Sequence, residues 1–393
     1  MDSIALKIKK QIDRKALFAD IRRVVVKLGT RVVTAQGNTL NLAVIDRLAA
    51  DVAYLRDRGL QVAIVTSGAV GAGMGQLGLS NRPRRLADLQ ATAAVGQGLV
   101  MDAYKRAFEA HGVLVGQVLL TSDDLDNRTR YVNARNTLDQ LFRYGVVPVV
   151  NENDSVAVEE LQLSVGENDR LSAMVSHLVD ADMLVLLTDV DGLFLSDPAK
   201  DPNAQLVRSM HGMPEELYAT VGSSGSALGR GGMRTKLRAA EAVMQGGQMA
   251  VIANGCTDGL REILDGTDCG TLFVADNRSL NSRDLWLAHS RKQGSVVVDD
   301  GAVVALSDGG KSLLPSGIVR VIGDFEVGEL IGVESKQRVE IARGLTRFDA
   351  DDVRRIRGKK TPEVAEILGI NNGAVVIHRD DMVVLNRMYS SSQ

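Results

Sequence analysis

Two lysines stand where an ammonium group could meet a phosphate. Lys27 closes the apolar run Val24-Val25-Val26 and is followed by Leu28-Gly29-Thr30, so it sits at a strand end beside backbone that can approach an anion closely. Lys236 ends the segment Gly229-Arg230-Gly231-Gly232-Met233-Arg234-Thr235, read as a flexible loop running into a helix over 235–245, whose first amides and dipole favour phosphate. Two acidic clusters are set against these lysines. Asn151-Glu152-Asn153-Asp154 follows an apolar strand directly, and Gly166-Glu167-Asn168-Asp169 opens a helix over 171–179 that Asn168 or Asp169 is expected to cap. Taken singly, each has an ordinary explanation: a snorkelling lysine, a surface loop, a turn, a helix cap. Together, carboxylates that fix the direction of ammonium groups and amides that donate to an anion without repelling it suit phosphoryl transfer, where catalysis is mostly positioning and charge neutralisation. A carboxylate acceptor is already ionised at pH 7 and needs no general base. The five histidines, His111, His177, His211, His289 and His378, lie outside these segments and read as structural or surface residues.

Two better-known phosphate motifs fail. Residues 305–312 end like a P-loop but have Ala305 where the first glycine is needed. Residues 73–78 match G-x-G-x-x-G, yet begin several residues past their strand and lack an acid about 20 residues on.

The elements that must position these residues alternate from residue 20 to about 275. Apolar, buried-looking strands are expected at 24–27, 62–66, 146–150, 183–187 and 249–253, with helices at 41–58, 87–110, 133–144, 171–179 and 235–245. This is the pattern of an α/β unit with an open, mainly parallel sheet sandwiched by helices. Each strand ends in a polar or glycine-containing segment, including Thr66-Ser67-Gly68, Thr188-Asp189 and Asn254-Gly255, so all five should converge on one cleft at the carboxyl edge of the sheet. After about residue 280 short strands with glycine turns are expected at 295–298, 303–306, 318–321, 330–333 and 375–378, with a helix near 362–368, as in a small mostly-β barrel.

The chain has 393 residues with 46 basic and 49 acidic side chains, a formal charge of −3, which removes the electrostatic footprint of a whole-chain nucleic-acid binder. Cys256 and Cys269 fit neither a zinc spacing nor a disulfide framework and read as reduced thiols. No apolar export signal is visible at the N-terminus, and the longest uncharged stretch, 59–81, carries six glycines and cannot be a membrane span.

The segments Val24-Val25-Val26-Lys27-Leu28-Gly29-Thr30, Val65-Thr66-Ser67-Gly68-Ala69, Asn151-Glu152-Asn153-Asp154, Gly166-Glu167-Asn168-Asp169-Arg170-Leu171-Ser172-Ala173, Leu187-Thr188-Asp189 and Gly231-Gly232-Met233-Arg234-Thr235-Lys236 resemble the amino acid kinase family. Their order and spacing are most similar to members that phosphorylate the γ-carboxylate of L-glutamate with ATP, at the entry to proline synthesis. Lys311-Ser312-Leu313-Leu314-Pro315-Ser316-Gly317-Ile318 and Val321-Ile322-Gly323-Asp324-Phe325 resemble a PUA domain. The likeness implies an N-terminal extension over 1–20, a kinase domain over 21–275, a linker over 276–294, a PUA domain over 295–380 and a tail over 381–393. By the same likeness, Lys27 and Lys236 contact the phosphates of ATP and Asp169 orients them. Ser67, Asn151, Asp154 and Asn168 bind glutamate, Asp154 through the α-ammonium. Gly29, Thr188 and Asp189 lie at the nucleotide, and Arg230, Gly231, Gly232, Met233, Arg234, Thr235 and Lys236 form its phosphate loop.

The resemblance further implies Mg²⁺ carried on the nucleotide, with no protein ligand to name, and inhibition by proline. It also implies a homo-oligomer (dimer or tetramer), a cytoplasmic location, and a glutamyl phosphate reductase that consumes the labile product. Arg230 stands where a small residue is usual in the family, and Glu167 where aspartate is common. The same-class alternative is a kinase of acetylglutamate, aspartate, carbamate or a nucleoside monophosphate, against which the PUA-like tail argues. The different-class alternative is RNA binding, because PUA domains elsewhere bind RNA and Arg343, Arg347, Arg354, Arg355, Arg357, Lys359 and Lys360 cluster in sequence. Asp349, Asp351 and Asp352 are interleaved with them, as on a solvated face.

Overall fold

The computed structural model describes residues 12–156, 167–196, 198, 200, 201, 203–214, 216–218, 227–275, 282–307, 310–369 and 375–385. The chain divides into two compact units, residues 1–279 and 280–393.

The first unit is built on an eight-stranded sheet. Its strands are β1 (Arg23–Leu28), β2 (Gln61–Val65), β3 (Val115–Leu120), β4 (Val147–Glu152), β5 (Met183–Thr188), β6 (Ser209–His211), β7 (Met249–Asn254) and β8 (Thr271–Val274), in the spatial order β3-β4-β2-β1-β5-β7-β8-β6. All neighbours are parallel except β7 and β8. The central strands are buried along almost their whole length, which is why they read as continuous Val, Ile and Leu runs rather than as alternation. The five expected strands are present, displaced by one or two residues at their ends. β3, β6 and β8 were not expected. β3 is an edge strand whose apolar run is interrupted by Gly116 and Gln117, and β6 is only three residues long.

Because side chains alternate across a strand, β1 faces two ways. Val24, Val26 and Leu28 enter one core with α1 (Leu42–Asp57) and α3 (Leu86–Glu109), through Ile45, Leu48, Val52, Val100, Tyr104 and Phe108. Lys27 belongs to the opposite face. There α5 (Glu167–Leu178) and α6 (Ala227–Gln245) cover the sheet, α5 against β1 and α6 against β7. The period-2 rule thus aims the only charged side chain in the interior of β1 at the two helices that carry Asp169 and Lys236.

Between β2 and α3, α2 (Ala69–Gln76) meets α3 backbone to backbone. A Cβ at Gly73 would lie 1.9 Å from Thr92 O and one at Gly96 would lie 1.8 Å from Ala69 O, so only glycine fits at either point. The G-x-G-x-x-G match is thereby a helix-packing device. On the far side of the unit the one-turn helix Arg14–Leu17 is fastened by Arg14, which is nearly fully buried. It donates to the carbonyls of Arg208 (2.7 Å), Thr267 and Gly270 and pairs with Asp268 at 3.2 Å. Residues 1–11 of the extension lie outside the described residues.

The second unit holds a five-stranded sheet, β9 (Gly294–Val298), β10 (Ile318–Ile322), β11 (Leu330–Glu334), β12 (Glu340–Leu345) and β13 (Met382–Val384), in the order β10-β9-β11-β12-β13. Only β9 and β11 run parallel. Its own core joins Val296, Val298, Ile331, Val333 and Ile341 to Val353 and Ile356 of a helix over Ala350–Ile356 and to Val364 of the helix Thr361–Leu368. Two expectations are corrected. Residues 303–306 are not a strand but lie within the helix Asp300–Ser307, and residues 375–378 contribute only an isolated bridge from Ile377 to Leu313. The stretch read as a linker carries the helix Ser282–His289.

Candidate active site

The parallel order brings the carboxyl ends of β4, β2, β1, β5 and β7 to one edge, and the connections leave β1 toward β2 and β5 toward β6 in opposite directions, so the switch point at which open α/β sheets bind ligands lies between β1 and β5. Main-chain bonds stitch these ends together. Gly29 N–H donates to Leu187 O at 2.9 Å, Thr66 N–H to Val150 O at 2.9 Å and Gly255 N–H to Thr188 O at 2.8 Å. A Cβ on Gly29 would press to 3.3 Å from Leu187 O and stand 4.0 Å from Lys27 Nζ, so glycine keeps the backbone beside the ammonium bare.

At the centre one carboxylate serves two lysines, one on each oxygen. Lys27 Nζ lies 2.6 Å from Asp169 Oδ1 and Lys236 Nζ lies 3.6 Å from Oδ2. Thr235 Oγ1 also donates to Oδ2 at 2.7 Å, and Lys236 donates to Gly232 O at 3.1 Å. The Asp169 side chain is 1% exposed, that of Lys27 7% and that of Lys236 12%. Burial alone would push the Asp169 carboxyl up, but attraction to Lys27 and Lys236, with hydrogen bonds from Lys27 and Thr235, outweighs it and holds the group below the ordinary carboxylate range. Desolvation, with repulsion from Lys27, lowers Lys236 from its ordinary value, although Asp169 pulls the other way. Two cations against one anion leave a surplus positive charge in a nearly dry place, which an arriving polyanion would neutralise.

On the β2–β4 side of Lys27 neutral amides and hydroxyls form a connected network. The two N–H groups of Asn168 Nδ2 are shared among three acceptors, Thr66 O (2.7 Å), Ser67 Oγ (2.8 Å) and Asn151 Oδ1 (3.2 Å). Asn151 Nδ2 in turn donates to Gln97 Oε1 at 2.7 Å. Beneath them the buried Tyr104 hydroxyl and Thr66 Oγ1 are 3.0 Å apart. On the β5–β7 side, Thr188 is buried and its hydroxyl donates to Asp189 Oδ1 at 3.1 Å, while Arg31 pairs with Asp189 at 2.8 Å. Burial would raise Asp189, yet its bonds to Arg31 and Thr188 lower it.

The structure therefore joins Lys27, Asp169, Thr235 and Lys236 in one cluster and Ser67, Asn151 and Asn168 in a second, adjoining one. Asp154 is half-buried in the turn just past β4, and Glu152 is buried at the end of that strand. Two local expectations are corrected. Neither Asn168 nor Asp169 caps its helix, because α5 begins at Glu167 and both lie in its first turn with their side chains turned to the site. Residues 229–236 are helical from Ala227 onward rather than a loop, so Gly232 and Lys236 are brought together by the i,i+4 spacing of α6. Met233 is half-buried and Arg234 exposed; the side chain of Arg230 lies outside what is described.

Gln97 and Arg31 were not expected. Arg31 follows the Lys-Leu-Gly-Thr segment directly and was within reach of that reading. Gln97 sits in the middle of a 24-residue helix, and its local signal is the glycine on either side of it, Gly96 and Gly98, unusual in a helix interior.

Among the described residues no three or more His, Cys, Asp or Glu side chains gather as a metal site. The nearest carboxylates, Asp169 and Asp189, are taken up by lysines and by Arg31. A protein-built cation cage does not fit this donor set.

In the second unit Arg343 pairs with Glu340, Arg347 with Asp381, Arg354 with Asp324 and Asp351, Arg355 with Asp352, and Lys359 with Glu363. Charges paired in this way do not form a basic stripe for nucleic acid.

Comparison with known proteins gives two family matches, the amino acid kinase family over residues 22–254 and the PUA domain over residues 294–368. The chain is 47% identical over 374 residues to a glutamate 5-kinase of Citrifermentans bemidjiense, covering 95% of this chain and 100% of that protein. It is 45% identical to that of Geobacter sulfurreducens, with the same coverage. It is 42% identical over 367 residues to that of Thermoanaerobacter pseudethanolicus, covering 93% of this chain and 98% of that protein. No helix among the described residues is long and apolar enough to cross a membrane.

Proposed function

The chain belongs to the amino acid kinase family, with the glutamate 5-kinases, and we propose that Lys27 and Lys236, held by Asp169, carry its transfer of a phosphoryl group from ATP to the γ-carboxylate of L-glutamate. The observation that carries this assignment of roles is the single buried carboxylate shared by two lysines from different elements.

In the reaction the bond between the γ-phosphorus and the β,γ-bridging oxygen breaks while a carboxylate oxygen of glutamate attacks in line, and the electron pair leaves on ADP. The acceptor oxygen is already anionic, so no proton has to be removed. What remains is to offset charge on the transferring group and on the leaving phosphate, which suits two ammonium groups in a dry site. Asp169 stays ionised and acts by direction: without it the lysines would repel one another and splay. The amide side of the cleft, Ser67, Asn151 and Asn168 with Asp154 beyond, takes the amino acid, and Gly29, Thr188, Asp189 and the start of α6 take the nucleotide. Mg²⁺ would travel on the phosphates of ATP.

We extend the proposal to a cytoplasmic homo-oligomer inhibited by proline, whose product, a mixed anhydride prone to hydrolysis, needs a reductase for acyl phosphates to consume it. The test is ATP turnover with L-glutamate, Mg²⁺ and hydroxylamine to trap the acyl phosphate. Glutamate-dependent hydroxamate should form, fall by roughly 10²–10³-fold in Lys236→Ala, and decline when proline is added at millimolar level. Hydroxamate from N-acetylglutamate but not from glutamate would reject the acceptor.

A further inference from the structure

The amide chain Asn168–Asn151–Gln97 has a direction. Asn168 donates to Asn151 Oδ1, so Asn151 must present Nδ2 to Gln97, which accepts through Oε1. Turning the Gln97 amide over would set NH₂ against NH₂, so the network itself fixes the orientation. The end of the chain is therefore Gln97 Nε2, a buried donor that finds no hydrogen-bond partner among the described residues. Leaving such a group unmade is costly in a folded protein, so an acceptor from outside the chain, a water or a ligand atom, has to meet it.

Which acceptor follows from position and chemistry. Gln97 bonds to Asn151 of β4, on the opposite side of β1 from Thr188 of β5, so the nucleotide side is excluded. Glutamate offers acceptors only in its two carboxylates, since its ammonium group only donates. The γ-carboxylate has to lie at Lys27 and Lys236. Asn168, next to Asp169, is the end of the amide chain near those lysines, and Gln97 is the far end. What remains is the carboxylate on the α-carbon. Resting on the reading above, we propose that Gln97 Nε2 donates to the α-carboxylate of bound glutamate and so selects an acceptor that carries a second carboxylate at that distance.

Two substitutions test this. Gln97→Met keeps the length and loses the donor. Gln97→Glu keeps an oxygen for Asn151 and turns the free end into an anion that faces the α-carboxylate. In the hydroxamate assay the loss should fall on KM for glutamate rather than on kcat, rising about 10–100-fold in Gln97→Met and further in Gln97→Glu, with KM for ATP within about twofold. Gln97→Met also strips the buried Asn151 Nδ2 of its acceptor, so a modest fall in its melting temperature is expected, and the deciding readout is the split between the two KM values. A merely structural role would instead move both KM values together, and that outcome overturns the proposal. So does a KM for glutamate within about threefold of wild type in both variants. If the wild-type chain forms no glutamate hydroxamate, the functional reading fails first and takes this one with it; if it does, only the Gln97 assignment is at stake.

Discussion

A carboxylate that serves two ammonium groups makes stability depend on its charge. Asp169 has its folded value below the ordinary 3.8, so the stability it contributes is fully present above about pH 4 and is lost as the pH falls through the depressed folded value. His177, buried on α5 and pushed by desolvation from 6.5 to about 4, acts in a separate window. The unfolded chain binds its proton before the folded one does, so stability falls between pH 6.5 and about 4 as acid is added. Urea midpoints at pH 6.5 and 4.5 should therefore drop in wild type and drop less in His177→Gln. Asp169→Asn should be several kcal/mol less stable than wild type at pH 7, roughly 3–5 for a broken buried pair, with a gap that narrows only below pH 4. Equal slopes for wild type and His177→Gln would mean that the histidine is hydrated. At this scale much was legible in the sequence: lysines and carboxylates at strand ends are expensive to bury, so their types announce a site. Gln97 was not, because an amide on a helix acquires meaning only once the neighbour that fixes its orientation is known.

Helix α3 reaches the site because α2 lets it. Gly73 and Gly96 remove the two side chains that would hold the helices apart, and the closest atom to each missing Cβ is backbone, which cannot swing aside. Gly96→Ala should thus cost about 1–3 kcal/mol by overpacking, despite the better helix propensity of alanine. It should also raise KM for glutamate, because Ala69 opens α2 two residues after Ser67, and Gln97 is the next residue of α3. Gly98 is the control: a Cβ there meets nothing within 4 Å, so Gly98→Ala should gain stability by up to about 1 kcal/mol. If the two variants melt alike in urea, the helices are not as close as described. The elements read most faithfully from sequence were the long buried strands and amphipathic helices. The misread ones have two causes. Val303-Val304-Ala305-Leu306 is a short apolar run that periodicity cannot assign, and here the helix Asp300–Ser307 won. The glycines of 229–232 argued for a loop, but they fall in the first turns of α6, where few intrahelical bonds depend on them.

The whole molecule is two units with separate cores, and every residue assigned to the chemistry belongs to the first. The change near residue 280 was readable because long α/β spacing gives way to short strands with glycine turns; of the helices of the second unit only the one expected near 362–368 was read, as Thr361–Leu368, since helices of seven or eight residues leave little periodicity. A unit with its own core of Val, Ile and Leu from strands and helices is expected to fold alone when it approaches 100 residues or more, as both do here. A chain ending at residue 279 should therefore keep glutamate-dependent hydroxamate formation with both KM values within about threefold of the full chain. Residues 280–393 expressed alone should melt cooperatively and form no hydroxamate. Loss of activity in the shorter chain, with its melting transition intact, would mean that the PUA unit completes or stabilises the active geometry. Loss of the transition as well would mean that the first core is not self-sufficient, and the division of labour argued from the cores would fail.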